Sequence, residues 1–180
     1  MLAGLYGVAD PTFGDPLAQV RILAAEGVTT VQLRCKGWPT DRLVALARAC
    51  PPVRLVLDDD VAAARAVGAW VHVGQDDGPD PDLPFGRSTH TLEQVRAAGS
   101  ATYIGYGPVF GTSTKETGWT PRGIERLAGV VRASPVPVVA IGGITLENID
   151  AVRATGVAAW AVISEIWRAD DPAAVIRAMR

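Results

Sequence analysis

The residues best suited to chemistry form a short polar stretch that follows an apolar run. Within five positions it combines a glycine, three hydroxyls and an ammonium, in Gly111, Thr112, Ser113, Thr114 and Lys115. Hydroxyls, backbone N–H groups and an ammonium that converge in one loop can bind phosphate oxygens. An ordinary polar turn has a similar composition, because Gly, Ser and Thr are common turn residues. Phosphate binding is favoured because other polar clusters also follow apolar runs.

A second cluster ends the β-branched segment at residues 28–34. Side chains alternate along a strand, so Gln32, Arg34 and Lys36 share one face and Cys35 points to the other. Two cations aligned at the end of a buried strand are costly without an anionic partner. A solvated surface edge is the alternative. Cys35 is predicted to be a small core residue and not a nucleophile.

Acidic residues follow the next two predicted strands. Asp58, Asp59 and Asp60 come after one strand, and Asp76 and Asp77 come after the other. Oxygen-rich clusters suit Mg²⁺, which is usually held by one or two carboxylates together with substrate phosphates. A solvated acidic loop is the alternative, and it is preferred for Asp60 and Asp76. Two histidines and two scattered cysteines argue against zinc.

Histidines and glycines mark further strand ends. His72 and His90 both fall there; a lone histidine is more often a structural hydrogen-bonding residue, but two at one rim favour a functional role. Gly142 and Gly143 follow the seventh predicted strand, and Ser164 follows the eighth. Loops after these strands form the usual phosphate site of a (β/α)₈ barrel. Helix capping is the alternative for the two glycines.

Composition indicates a globular protein. The chain has 180 residues, 48% of them hydrophobic, which supports a single domain over residues 1–180 with a sizeable core. The net charge of −2 gives no electrostatic reason to expect nucleic acid or a membrane as a partner. Two cysteines are too few for a disulfide framework, and neither a signal peptide nor a bilayer-spanning run is recognised. We expect a cytoplasmic protein, and a homo-oligomer remains open.

Eight apolar strands, most of them followed by helices, are predicted to position the polar clusters. Strands that are apolar on both faces favour a parallel sheet covered by helices, and the count of eight favours a closed (β/α)₈ TIM barrel, an α/β fold, over an open doubly wound sheet. Chemistry in such barrels belongs at the carboxyl ends of the strands. Because these barrels usually run to about 200 residues or more, we expect short loops and a missing or shortened helix. The predicted strands are 5–9, 28–34, 53–57, 70–73, 85–88, 103–106, 136–141 and 158–163, and the predicted helices are 16–26, 41–50, 61–67, 92–98, 121–133, 147–154 and 172–179.

With these segments in order, the chain resembles the thiamine phosphate synthase family over nearly its whole length. The resemblance is carried by LY with Asp10 (5–10), VQLRCK (31–36), LDDDV (57–61), VHVGQDD (71–77), STH (88–90), GPVFGTSTK (107–115), AIGGI (140–144) and AVIS (161–164). Each motif alone is weak, whereas their order and combination are specific. The resemblance implies a TIM barrel that uses Mg²⁺ to join a hydroxymethylpyrimidine diphosphate to a thiazole phosphate with loss of pyrophosphate.

The same resemblance implies a role for each site residue. The diphosphate would be held by Arg34, Lys36, Ser88, Thr112, Thr114 and Lys115, among which the three cations are the catalytic residues. The Mg²⁺ ligands would be Asp59 and Asp77. The pyrimidine would contact Gln32 and His72, and Asp58 and His90 would also lie against substrate. The thiazole phosphate would be held by Gly143 and the backbone near Ile163 and Ser164.

Three positions depart from the family pattern, and two other functions remain open. Asp58 stands where the family usually has Asn, Trp70 where a small or acidic residue is usual, and Ala9 where Thr is common.

The related thiazole tautomerase uses a histidine at the position of His90 as proton carrier. Its members often lose the diphosphate-binding cations that this chain keeps, which favours the synthase. The third function is a non-catalytic barrel that binds a phosphate ligand.

Overall fold

The structure, a computed structural model, describes residues 2–111 and 120–180, which form a closed barrel. Eight parallel strands pair in chain order, and the last strand also pairs with the first. The predicted (β/α)₈ TIM barrel is therefore confirmed. The strands are β1 (Gly4–Ala9), β2 (Thr30–Leu33), β3 (Arg54–Asp58), β4 (Trp70–Val73), β5 (Phe85–Thr89), β6 (Tyr103–Tyr106), β7 (Val138–Ile141) and β8 (Ala159–Val162).

The helices surround the strands and follow the predicted segments closely. A four-residue helix directly after β8 and a single 3₁₀ turn at Pro11–Phe13 were not predicted. No helix in the described ranges is both long and apolar enough to span a bilayer. The helices are α1 (Pro16–Ala25), α2 (Thr40–Ala49), α3 (Val61–Val67), α4 (Leu92–Ala97), α5 (Ile124–Ala133), α6 (Ile149–Ala154), α7 (Ser164–Trp167) and α8 (Pro172–Met179).

Capping residues determine where several helices begin. The Asp15 carboxylate accepts hydrogen bonds from the first turn of α1, which has Pro16 at its first position. Thr91 and Gln94 form a reciprocal capping box at α4. Asp60 caps α3 by accepting a 2.8 Å hydrogen bond from the Ala63 N–H. The Asp60 carboxylate therefore has a structural role beside the acidic cluster.

The connection between β4 and β5 contains no helix. Residues 74–84 run from the carboxyl end of β4 to the amino end of β5 without regular structure. The expectation of a missing or shortened helix is confirmed at this place. The missing helix reduces the number of residues that the barrel needs, which helps the 180-residue chain to close it.

Strand alternation separates the barrel interior from the layer beneath the helices. Val31, Leu33 and Cys35 belong to the larger outer core, as predicted for β2. A smaller core fills the interior, and its buried members are Leu2, Tyr6, Val8, Val56, Tyr103, Val139, Ala159 and Ala161. Beyond this core, at the carboxyl rim, the interior-facing positions carry polar side chains that line a cleft.

Tyr103 occupies the centre of the interior. Its side chain is fully buried, and its hydroxyl lies 2.8 Å from the Tyr6 hydroxyl. An added Cβ on Gly86 would lie 2.0 Å from Tyr103 Cζ, so the ring requires glycine at that position. At the amino ends of β3 and β4, the Arg54 guanidinium stacks 4.6 Å from the centre of the Trp70 ring. The interior is thus filled, and ligand space is left at the carboxyl rim.

Candidate active site

A cleft of about 340 Å³ opens at the carboxyl ends of the strands. Every predicted site residue that the structure describes lines it, although the assigned roles stay predictions. Thr112, Thr114 and Lys115 lie outside the described residues. Those that the structure brings together are Gln32, Arg34, Lys36, Asp58, Asp59, His72, Asp77, Ser88, His90, Gly143, Ile163 and Ser164.

Arg34 is held by a residue that the sequence-based site did not include. Its Nη1 donates to Asp10 Oδ2 at 2.5 Å, and the Asp10 side chain is only 3% exposed. Burial alone would raise the pKa of Asp10, but hydrogen bonds from Thr12 and Arg34 outweigh it and hold the pKa below its ordinary value. Asp10 shares the inward parity of Tyr6 and follows the strand beside β2, which is the signal that could have identified it.

Lys36 forms the second cationic position of the cleft. Its Nζ lies 2.5 Å from Asp59 Oδ2 and 3.0 Å from Asp58 Oδ2. Partial burial would lower the pKa of Lys36, but the two carboxylates outweigh burial and raise it. Lys36 is therefore a charged ammonium at neutral pH, placed where β2 and β3 reach the rim.

Asp58 fixes the orientation of Gln32. Its Oδ1 accepts a 2.7 Å hydrogen bond from Gln32 Nε2. Because a carboxylate only accepts hydrogen bonds, the Gln32 NH₂ group must face Asp58, and the Gln32 carbonyl oxygen is left for other partners. Asp58 Oδ2 is buried and makes no hydrogen bond among the described residues, so its contact with Lys36 is an ion pair of poor hydrogen-bond geometry.

Asp59 adopts an unusual backbone conformation. Its φ of 63° lies in the left-handed region, which Asp tolerates better than most residues. Its N–H donates to the His72 carbonyl oxygen at 2.9 Å. Burial and the carboxylates of Asp58 and Asp77 raise the pKa of Asp59, despite the hydrogen bond from Lys36. Negative charge is therefore concentrated at this part of the rim.

The described cleft contains more carboxylates than cations. Asp58, Asp59, Asp76 and Asp77 line it together with Arg34 and Lys36. Within residues 2–111 and 120–180, no three His, Cys, Asp or Glu side chains are grouped so that they could hold a metal ion unaided. This donor set suits Mg²⁺, which needs only one or two carboxylates when phosphate oxygens and waters supply the other ligands.

His72 is hydrogen bonded through both ring nitrogens. Nδ1 lies 2.9 Å from the Tyr103 hydroxyl, and Nε2 lies 2.9 Å from Ser88 Oγ. An added Cβ on Gly105 would lie 3.2 Å from His72 Cε1, so glycine there gives the ring room. A chain of hydrogen bonds thus runs from Tyr6 in the interior to Ser88 at the rim. The predicted contact of His72 with the pyrimidine would therefore be made by the face of the imidazole ring, or by a ring nitrogen that gives up its hydrogen bond to Tyr103 or Ser88.

His90 has a defined tautomer. Its Nδ1 lies 2.9 Å from the Gly107 carbonyl oxygen, which can only accept, so Nδ1 carries a proton. Its backbone N–H donates to Gln94 Oε1 at 2.7 Å, at the start of α4. In the neutral imidazole, Nε2 is therefore the ring nitrogen without a proton.

The loops after β7 and β8 form a glycine turn beside a short helix. Gly142 and Gly143 both have positive φ, at 100° and 66°. Asn148 fixes the turn, since its Nδ2 donates to the Gly143 carbonyl oxygen at 2.9 Å. The helix α7 begins at Ser164, directly after Ile163. Glycines in these loops and a short extra helix are the usual components of the phosphate site in this fold.

The fold and the polar rim together define a (β/α)₈-barrel enzyme. The sequence model of the family described as thiamine monophosphate synthase matches residues 5–166. The thiamine-phosphate synthase of Anaeromyxobacter dehalogenans (strain 2CP-C) is 41% identical, over 99% of this chain and 87% of that protein. That of Laribacter hongkongensis (strain HLHK9) is 42% identical, over 96% and 92%. The chain belongs to the thiamine monophosphate synthase family.

A solved structure shows the same relationship. The thiamine phosphate pyrophosphorylase from Pyrococcus furiosus superimposes with a TM-score of 0.88 at 32% sequence identity. The match covers 99% of this chain and 94% of that one. The barrel and the order of its elements are therefore shared with that protein over nearly the full length.

Proposed function

We propose that the chain is a thiamine-phosphate synthase, a transferase that joins a hydroxymethylpyrimidine diphosphate to a thiazole phosphate. The observation that best supports this activity is a single cleft with two sectors, one whose cations and carboxylates suit a metal-bound diphosphate and one whose glycine turn suits a phosphate. Arg34 and Lys36 lie in the sector of β2 and β3, while Gly143 and Ser164 lie in the sector of β7 and β8. A reaction between two phosphorylated substrates needs both sectors. Similarity to synthases over almost the whole chain supports the same conclusion.

In the proposed reaction, the bond between the pyrimidine methylene carbon and the diphosphate oxygen breaks. The electron pair leaves with pyrophosphate, and the thiazole nitrogen supplies the pair for the new C–N bond. Arg34 and Lys36 would stabilise the charge that develops on the leaving group. Lys115 is proposed as a third cation, with Ser88, Thr112 and Thr114 as further ligands of the diphosphate.

Gln32 and His72 would orient the pyrimidine. Gln32 is held by Asp58 so that its carbonyl oxygen is the atom available to a donor on the ring. His72 is fixed by Tyr103 and would border the same space. Pre-set orientation of this kind lowers the entropic cost of bringing the two substrates together.

Asp59 and Asp77 would hold Mg²⁺ in this proposal. Such an ion, when bound, neutralises charge on diphosphate oxygens and makes pyrophosphate a better leaving group. Besides its role toward the leaving group, Lys36 would also balance the carboxylate charge of Asp58 and Asp59 beside the ion. Burial, together with the neighbouring carboxylates of Asp58 and Asp77, raises the pKa of Asp59, and a bound cation would offset this concentration of negative charge.

No covalent intermediate with the protein is needed. Cys35 lies in the outer core, and burial raises its pKa to about 12, so its thiol is neither placed nor charged for attack. Cys35 and Cys50 are both free thiols, which supports a reducing cytoplasm as the site of the reaction.

We propose one domain over residues 1–180. Light scattering tests the assembly, because a monomer has a mass of 18.9 kDa.

The decisive assay mixes the protein with both substrates and Mg²⁺. Thiamine phosphate and pyrophosphate should appear in equal amounts. Lys36→Ala should lower kcat/KM about 100- to 1000-fold, which is the usual loss when one charge-stabilising group is removed. Arg42→Ala is the matched control, because this cation also follows β2 but stacks on Trp38 at 3.4 Å. Equal turnover by Lys36→Ala and the wild type would refute the assignment.

The tautomer of His90 supports one other candidate, a thiazole tautomerase. Because His90 Nδ1–H donates to the Gly107 carbonyl oxygen, Nε2 is the ring nitrogen that could carry a proton to and from a substrate. Arg34 and Lys36 favour the synthase over this candidate. Isomerisation of the thiazole carboxylate without condensation would identify the tautomerase. Ligand binding with neither reaction would identify a binding barrel.

A further inference from the structure

Residues 74–84, called the descending loop below, occupy the place of a helix. A (β/α)₈ barrel normally follows each strand with a helix that covers the outer face of the sheet. The descending loop begins at the rim, where Gln75 and Asp77 line the cleft, and ends at the amino end of β5. It therefore connects the catalytic rim with the outside of the barrel.

Arg87 lies on the face of β5 that the absent helix would cover. Alternation places Ser88 toward the cleft and Phe85 in the outer core, so Arg87 also points outward. Its side chain is only 12% exposed. Charged side chains are seldom buried to this extent unless they are paired, so its partners define its role.

The Arg87 guanidinium contacts two separate points of the descending loop. Nη1 donates to the Gly74 carbonyl oxygen at 2.6 Å, and Nη2 donates to Asp80 Oδ1 at 2.8 Å. Asp80 also accepts a hydrogen bond from Ser100. The planar, forked guanidinium suits such a two-point contact, which the single ammonium of lysine cannot reproduce.

Gly74 links Arg87 to the cleft. Its carbonyl oxygen accepts from Arg87, while its N–H donates to Asp77 Oδ2. An added Cβ on Gly74 would lie 2.9 Å from that same Asp77 oxygen, so the carboxylate packs directly against this residue. Gln75 adds a second tie, since its Nε2 donates to the Ser88 carbonyl oxygen at 2.6 Å.

We propose that Arg87 is a positioning residue that substitutes for the absent helix. It holds the descending loop against β5 and so presents the Asp77 carboxylate to the cleft near Asp59. This inference rests on the proposed function, in which Asp77 is a ligand of Mg²⁺. Residues that orient metal ligands from outside typically change metal affinity about 10- to 100-fold. Loss of Arg87 therefore weakens divalent-ion binding more than it slows the chemistry at saturating metal.

The test uses Arg87→Leu, which removes the guanidinium and places an apolar side chain on the outer face of β5. Affinity for Mn²⁺ with pyrophosphate present, measured from the free-ion spin resonance signal, should fall about 10- to 100-fold. Amide hydrogen exchange should accelerate in residues 74–80, and turnover at saturating Mg²⁺ should recover to within about threefold of wild type. Asp80→Asn weakens only one arm of the fork and should give a smaller loss.

Arg65→Ala is the matched control. Arg65 pairs with Asp82 on the same loop, but both side chains are largely exposed and neither lines the cleft. It should leave Mn²⁺ affinity and exchange in residues 74–80 at wild-type values. Unchanged Mn²⁺ affinity in Arg87→Leu would overturn the proposal, even with faster exchange, because that combination describes a purely structural residue. An equal loss in Arg65→Ala would also overturn it. Absence of product with the wild type would count against the proposed function alone, since metal binding and exchange need no turnover.

Discussion

Gly143→Ala tests the proposed phosphate site after β7 by changing space and not charge. Gly143 has a φ of +66°, and an added Cβ would lie 2.3 Å from the Gly111 carbonyl oxygen and 2.8 Å from Phe110 Cβ. A left-handed conformation costs a non-glycine residue about 1–2 kcal/mol. The contact with the backbone oxygen is too short to persist, so the turn must move by roughly 1 Å, and a misplacement of that size can cost about 100-fold in rate.

Gly68→Ala supplies the control for backbone strain. Gly68 also has a φ of +66°, but an added Cβ meets nothing within 4 Å, and the residue lies at the end of α3. Steady-state kinetics with each substrate varied in turn should show kcat/KM for the thiazole phosphate about 100-fold lower in Gly143→Ala. The KM for the pyrimidine diphosphate should stay within about threefold, and Gly68→Ala should match the wild type. Wild-type kinetics in Gly143→Ala would refute the reasoning.

Three further predictions concern buried polar groups. Asp10→Asn should lower the free energy of unfolding by about 1–3 kcal/mol at neutral pH, because Arg34 loses its charged partner. Folding lowers the pKa of Asp10, so its contribution to stability is present above the unfolded pKa near 4 and is lost as the pH falls through the folded pKa. In urea titrations, the difference in unfolding free energy between the variant and the wild type should therefore disappear toward pH 2. A difference that does not depend on pH would contradict this prediction. Tyr103→Phe should keep the circular dichroism spectrum but raise the KM for the pyrimidine diphosphate several-fold, on the order of 1 kcal/mol, because His72 loses the partner of its Nδ1; an unchanged KM would show that His72 needs no such support. Cys35 should react with a thiol reagent at pH 8 far more slowly in the native than in the unfolded protein, as mass spectrometry can follow, because burial raises its pKa to about 12; rapid native labelling would contradict its burial.

The barrel could be predicted because its signals are local. Strands apolar on both faces and the count of eight follow directly from the sequence, as does the alternation that turns Gln32, Arg34 and Lys36 to the same side. The second strand begins at Thr30 and not at residue 28, because hydrophobicity marks burial and not the first ladder hydrogen bond. The short helix α7 was missed, since four residues contain too little of a helical period to show a pattern.

The contacts between strands could not be predicted in the same way. That Asp10 pairs with Arg34, or that His72 has both nitrogens occupied, depends on which side chains meet across the closed barrel. Arg87 gave no signal, because a cation after a glycine in a short strand resembles a solvent-exposed position until the absence of the helix is known. Single-sequence patterns identify which residues face the rim, and the register decides which of them touch.

The packed interior around Tyr103 closes the cleft on the side of the amino ends of the strands. In the part of the chain that the structure describes, the cleft opens at the carboxyl rim, so under the proposed function both substrates would enter and both products would leave there. The substrate that binds second would then lie between the first substrate and the solvent. Product release through the same rim would therefore add a step, besides bond breaking, that can limit turnover.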